Sequence, residues 1–141
     1  MSETEPVFQY TQERTLVYTG RPEPNLLVAD SWLAREGRVR ALQLHRKRFF
    51  SSCEQLAGLN EKDTDPFWEI ALEKVPQTGC WFPRIEMAGS LKKPVFQIRI
   101  SKAPPVHQTV RLSDRRITDF RKAPRHKGPD LKEMLTIREK I

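Results

Sequence analysis

"NLLVADSWLAREGRVRALQLHRKRF", residues 25 to 49, changes its hydrophobic period part-way along, and that change decides the fold. Leu26, Val28, Asp30 and Trp32 alternate with Leu27, Ala29, Ser31 and Leu33, the two-residue period of a strand. "REGR" offers a glycine turn, and Val39 and Ala41 then alternate with Arg38 and Arg40 in a return strand. The stretch therefore predicts a β-hairpin. From Leu44 the period lengthens. Phe49, Cys53 and Leu56 recur at i, i+4 and i+7, with Gly58 ending the run, which predicts an amphipathic helix.

The flanks extend the pattern. "DPFWEIALEKVP" opens with Asp65-Pro66 and closes at Pro76, a second short helix. "GCWFPRIEMAG" and "KPVFQIRIS" read as two more strands joined by a turn from Gly89 to Lys93, and Val106 to Leu112 as another. "SDRRITDFRKAPRHKG" lacks periodicity and reads as a linker or a loop over a pocket. In "KGPDLKEMLTIREKI", Gly128 can cap, Pro129 suits a first helical position, and Asp130 and Glu133 put acid in the first turn. Leu131, Met134, Ile137 and Ile141 follow at helical spacing. The expected class is α+β: a small, mainly antiparallel sheet flanked by two helices, then a linker and a C-terminal helix that would begin a second domain. The expected boundaries are 1–112 for the first domain, 113–128 for a basic interdomain linker and 129–141 for the start of the second.

Composition bounds the function. A chain of 141 residues with 38% hydrophobic and 9% aromatic residues has the means for a core and is not disordered in character. No run approaches the roughly 18 apolar residues of a membrane span. "MSETEPVF" is acidic and polar, unlike a secretory signal, so the expected compartment is the cytoplasm. Cys53 and Cys80 are far apart, without metal-ligand spacing, and read as buried free thiols. The net charge of +7 is concentrated late in the chain, where seven basic side chains from Arg111 to Lys127 face only Asp114 and Asp119. Such a patch suits an anion, either a polyphosphate backbone or one small phosphorylated ligand. Only Phe120 interleaves it, which argues against a single-strand stacking platform.

Three residues carry candidate chemistry. Lys127 stands just ahead of a helix N-terminus, where the dipole is positive and a neutral amine, hence a nucleophile, is favoured. The competing explanation is a basic linker that happens to end in lysine. His45, Arg48 and Ser52 share one face of the first helix, at the border of the core, where Arg48 can offer its planar fork of donors to a phosphate. Ordinary snorkelling or a surface ion pair competes with that assignment. Arg84, in "WFPRIEM", is a candidate for a substrate carboxylate, or else a surface strand arginine.

The ordered set of hairpin, "HRKRF" helix, two further strands, basic linker and "KGPDL" helix resembles the N-terminal portion of class IV aminotransferases. These are the fold-type IV pyridoxal phosphate enzymes, among them branched-chain and D-amino acid aminotransferases and aminodeoxychorismate lyase. The similarity spans roughly residues 26 to 141. It implies pyridoxal 5'-phosphate as cofactor, Arg48 as its phosphate ligand, and Lys127 as the lysine that forms the Schiff base and shuttles a proton. It also implies an amino acid or keto acid substrate and a homodimer when full length. The family's "GDGVFE"-like strand is here "ADSWLA", so Ser31 and Trp32 inherit no role. The family continues into a second domain bearing the acid opposite the ring nitrogen. The 141-residue chain is accordingly expected to be either a fragment of a longer chain or a shortened relative, with half of the active site and little activity alone. The alternative is a small basic nucleic-acid-binding module acting through residues 111 to 127, without catalysis.

Overall fold

The computed structural model describes residues 6–104 and 109. The linker and last helix, with Lys127, lie outside the described residues, as does all but Thr109 of the strand expected from Val106 to Leu112. Within them the chain is α+β, as expected. Seven antiparallel strands form one sheet, and the two helices pack on one of its faces.

Two strands join a hairpin at the N-terminal end, β1 (Val7–Tyr10) and β2 (Leu16–Thr19). The sequence reading passed over them, because four residues each are too few to establish a period. Next come β3 (Leu26–Ser31), β4 (Ala34–Arg35) and β5 (Arg38–Val39), then helices α1 (Leu42–Ala57) and α2 (Glu61–Lys74). The expected last pair, β6 (Cys80–Gly89) and β7 (Pro94–Lys102), forms as predicted. The order across the sheet is β2-β1-β7-β6-β4-β5, and β3 also pairs with β6.

The long hairpin expected from Leu26 to Ala41 needs correction. β3 pairs with β6, Asp30 opposite Ile85 and Val28 beside Met87, while only β4 and β5 pair with each other. Ten-residue β6 is long enough to take both β3 and β4 in series. The chain breaks step between them at Trp32, whose N–H donates to the Pro83 carbonyl at 3.4 Å. The turn itself falls where "REGR" put it. Glu36 and Gly37 both have positive φ (50° and 75°), as a two-residue I′ turn requires. A Cβ on Gly37 would also meet Gln77 Oε1 at 2.6 Å. Ala41 is not a return-strand residue. It is left-handed (φ 54°) and starts α1 without a side-chain cap.

The first helix ends as read, on a left-handed Gly58. The second begins earlier than Asp65-Pro66, which leaves Pro66 inside it. Asn60 and Asp63 form a reciprocal capping box, each side chain accepting the other's backbone N–H at 3.1 and 2.9 Å. That box and the burial of Thr64 outweigh the single helical bond that Pro66 cannot donate.

Phe49 and Cys53 of α1 meet Phe67, Trp68 and Ala71 of α2 above Ile85, Met87, Phe96 and Ile98 of the sheet. Phe67 stacks on Phe96 with centroids 4.9 Å apart, and Tyr10 meets the edge of Phe67 at 5.7 Å. Among the described residues no helix is long and apolar enough to cross a membrane.

The cysteines divide. Cys53 is buried as expected, but Cys80, at the start of β6, is exposed. Burial pushes the Cys53 thiol up to about 12. One thiol should therefore react with an aromatic disulfide reagent in the native protein, and two in denaturant. The unfolded thiol ionises near 9.0 while the folded one stays neutral to about 12, so unfolding releases a proton in that window and stability falls as pH rises through it. Urea midpoints at pH 7 and 10 should show a decline that is smaller in Cys53→Ala.

Candidate functional site

Asp30 is a carboxylate on the helix-facing side of the sheet, beside Val28 and opposite Ile85, and it is fully buried. An ionised carboxylate there is tolerable only if its oxygens are matched. Helix α1 matches them. Arg48 Nε donates to Oδ2 at 2.6 Å and Nη2 to Oδ1 at 2.7 Å, a side-on bidentate pair, and His45 Nδ1 lies 2.8 Å from Oδ1. His45 and Arg48 are three residues apart, so one helix face presents both. The hydrogen bond to Asp30 raises the Arg48 pKa against the opposing effect of burial, and the guanidinium is charged at any working pH.

Two of the five N–H donors of Arg48 are thus committed to Asp30. The side chain nevertheless remains 47% exposed, so its outer edge is open to a further acceptor. Ser52, the third member of the expected face, is buried. The reading of that helix face missed Asp30. A charged residue at an inward strand position, in step with Leu26, Val28 and Trp32, was the available signal.

Arg84 stands on the other side of the sheet. It pairs with Glu86, which is 1% exposed and also receives Gln97 Nε2 at 2.7 Å and Arg99 Nε at 3.0 Å. Arg84 and Arg99 are opposite one another on β6 and β7. Gln97 is fixed in turn by the Glu23 backbone, accepting its N–H at 2.9 Å. The structure therefore does not bring Arg84 and Arg48 together. Lys127 and the basic segment from 111 to 127 lie outside the described residues.

Beside the Asp30 cluster, a cleft of about 720 Å³ is lined by Trp32, Leu33, Arg35, Arg38, Arg40 and His45 with Val39 and Ala41. His45 belongs to both features. Its ring is 5.7 Å from that of Trp32, and Nδ1 is held by Asp30.

No family model matches the sequence, and no curated protein does. Among solved structures the chain is similar to a fold IV transaminase, CpuTA1, from Curtobacterium pusillum, with a TM-score of 0.57 and 16% identity. The likeness covers 75% of this chain and 45% of that one, so this chain spans less than half of the transaminase's length. At that identity the similarity is one of fold.

The Asp30–Arg48 pair predicts a double-mutant cycle. Arg48→Ala leaves a buried carboxylate with His45 alone and should cost about 2–4 kcal/mol, below the usual figure for breaking a buried pair because Arg48 is half-exposed. Asp30→Ala in the Arg48→Ala background should cost markedly less than in wild type, a coupling of about 1–3 kcal/mol by urea denaturation.

Proposed function

We propose that this chain forms the N-terminal part of a pyridoxal phosphate-dependent protein of the class IV aminotransferase type, acting on amino acids or keto acids. The observation that carries the reading is the fold likeness to the Curtobacterium pusillum transaminase. It is supported by the ordered resemblance of the "HRKRF" and "KGPDL" segments.

The described residues fit the cofactor's phosphate. Arg48 is aimed by Asp30, keeps donors on its outer edge, and is half-exposed. Because Asp30 already shares its charge, Arg48 would contribute donor direction more than net charge. That distinction matters, since a lysine can supply charge but not the planar fork. On this reading Lys127 Nζ would hold the cofactor and would carry a proton to and from the substrate α-carbon. When bound, pyridoxal phosphate supplies the electron sink for that proton transfer. The acid facing the ring nitrogen is left to the part of the transaminase fold that this chain does not span. Residues 113–128 would then be the linker and 129–141 the start of that second domain.

The test is chemical trapping. Borohydride reduction with pyridoxal 5'-phosphate, followed by peptide mass mapping, should fix the cofactor's mass on Lys127, and Lys127→Ala should remove that peptide adduct. A label spread evenly over the lysines, or unchanged in Lys127→Ala, would overturn the reading. Arg48→Lys keeps a cation for Asp30 and is the better probe of the phosphate. It should weaken cofactor retention by about 1.5–3 kcal/mol, the range for a charged hydrogen bond.

A further inference from the structure

The cleft beside the β4–β5 hairpin gathers three exposed arginines, Arg35, Arg38 and Arg40, around one space. Arg35 and Arg38 are direct cross-strand partners, two residues either side of the turn. Directly opposite residues of an antiparallel pair share a face with their Cβ atoms about 5 Å apart, and like charges there are destabilising. Arg40 lines the same cleft. Among the described residues none of the three guanidinia has a carboxylate partner. The nearest acid in sequence, Glu36, is turned elsewhere, its Oε1 accepting the Gly79 N–H at 3.0 Å.

The start of a helix adds positive potential to the same space. Helix α1 starts at the cleft, since Ala41 is a lining residue. Its first turn has no side-chain cap and no acidic residue, so the positive end of a 16-residue helix is uncompensated. His45 closes one wall with Nδ1 held by Asp30, and its Nε2 has no partner among the described residues. The remaining wall is apolar, from Leu33 and Val39. A solvated basic surface spreads its charges. This cleft gathers three arginines and a helix N-terminus around one space large enough for a small molecule.

We propose that the cleft binds a small ligand through a diphosphate group. Three permanently charged guanidinia match a compact polyanion better than a single carboxylate, and each can fork onto two phosphate oxygens. The apolar wall would face the ligand's non-ionic part. Arg48 is not a lining residue and Lys127 is not invoked, so the proposal does not rest on the transaminase reading.

Titration calorimetry of the 141-residue chain with inorganic pyrophosphate at low salt tests this. The expected result is saturable binding of one equivalent, tighter than inorganic phosphate, with Arg38→Gln weakening it at least ten-fold and Arg35→Gln and Arg40→Gln several-fold each. Without anion, Arg38→Gln should melt at or above the wild-type temperature, because a like-charge contact has gone. Pyrophosphate should raise the melting temperature of wild type and not of Arg38→Gln. Lys127→Ala should keep pyrophosphate affinity while losing the trapped cofactor, so the two readings fail separately. The proposal is overturned by any of three outcomes. These are no saturable binding, wild-type affinity in all three glutamine variants, or a lower melting temperature for unliganded Arg38→Gln, which would make the arginine a folding residue. Stoichiometric binding only to RNA, scaling with its length, would also overturn it in favour of a backbone-binding surface.

Discussion

The docking of α1 on the sheet depends on one buried carboxylate. Asp30 has no exposure, and removing a charge from water costs several kcal/mol unless its oxygens are engaged. Among the described residues α1 engages them, through Arg48 on both oxygens and His45 on one. Apolar contacts tolerate small rotations of a helix about its axis, but a bidentate pair does not. The Asp30 contacts and the burial of Phe49 and Cys53 together set which face of α1 looks down. Once that face is fixed, Phe49 and Cys53 are directed at Phe67, Phe96 and Met87. Breaking such a pair is costly because it strands a buried charge, even where the pair's own net stabilisation is small.

The opposite face of the sheet repeats the device with different parts. Glu86 is held by Gln97, Arg99 and Arg84, all from the strands on which it lies or with which it pairs. Asp30 joins helix to sheet, whereas Glu86 joins neighbouring strands. The arginines of β4 and β5 follow neither pattern, having no carboxylate partner among the described residues, since Glu36 between them accepts from Gly79 instead. Arg48, Arg84 and Arg99 are positioned by buried carboxylates, whereas the cleft arginines are not.

Much of the sheet and both helices were legible because their periods are long. Phe49, Cys53 and Leu56 mark a helix face over two turns, and β6 and β7 each run for nine or ten residues. Short features were not legible. The two-residue strands β4 and β5 have no period, so the reading merged them with β3, and the break at Trp32 depends on a hydrogen bond to Pro83 that no local pattern announces. At α2, Pro66 was the louder signal and Asn60 the operative one, because a reciprocal cap satisfies more donors than a proline removes. For the site, spacing brought His45 and Arg48 to one helix face. Their common partner lies on a strand fifteen and eighteen residues earlier, a distance that periodicity does not span.

The position of β7 between β1 and β6 has a consequence for how the chain is made. Val7 pairs with Arg99 and Phe8 with Ile98, so the N-terminal hairpin leaves the ribosome well before the strand it pairs with. Until β7 emerges, the paired N-terminal strands have one edge unsatisfied and Phe8 has no sheet to lie on. The hairpin of β6 and β7, joined by a short turn, closes at far lower entropic cost. The sheet is complete only when β7 arrives, so residues made early in it wait on residues made late.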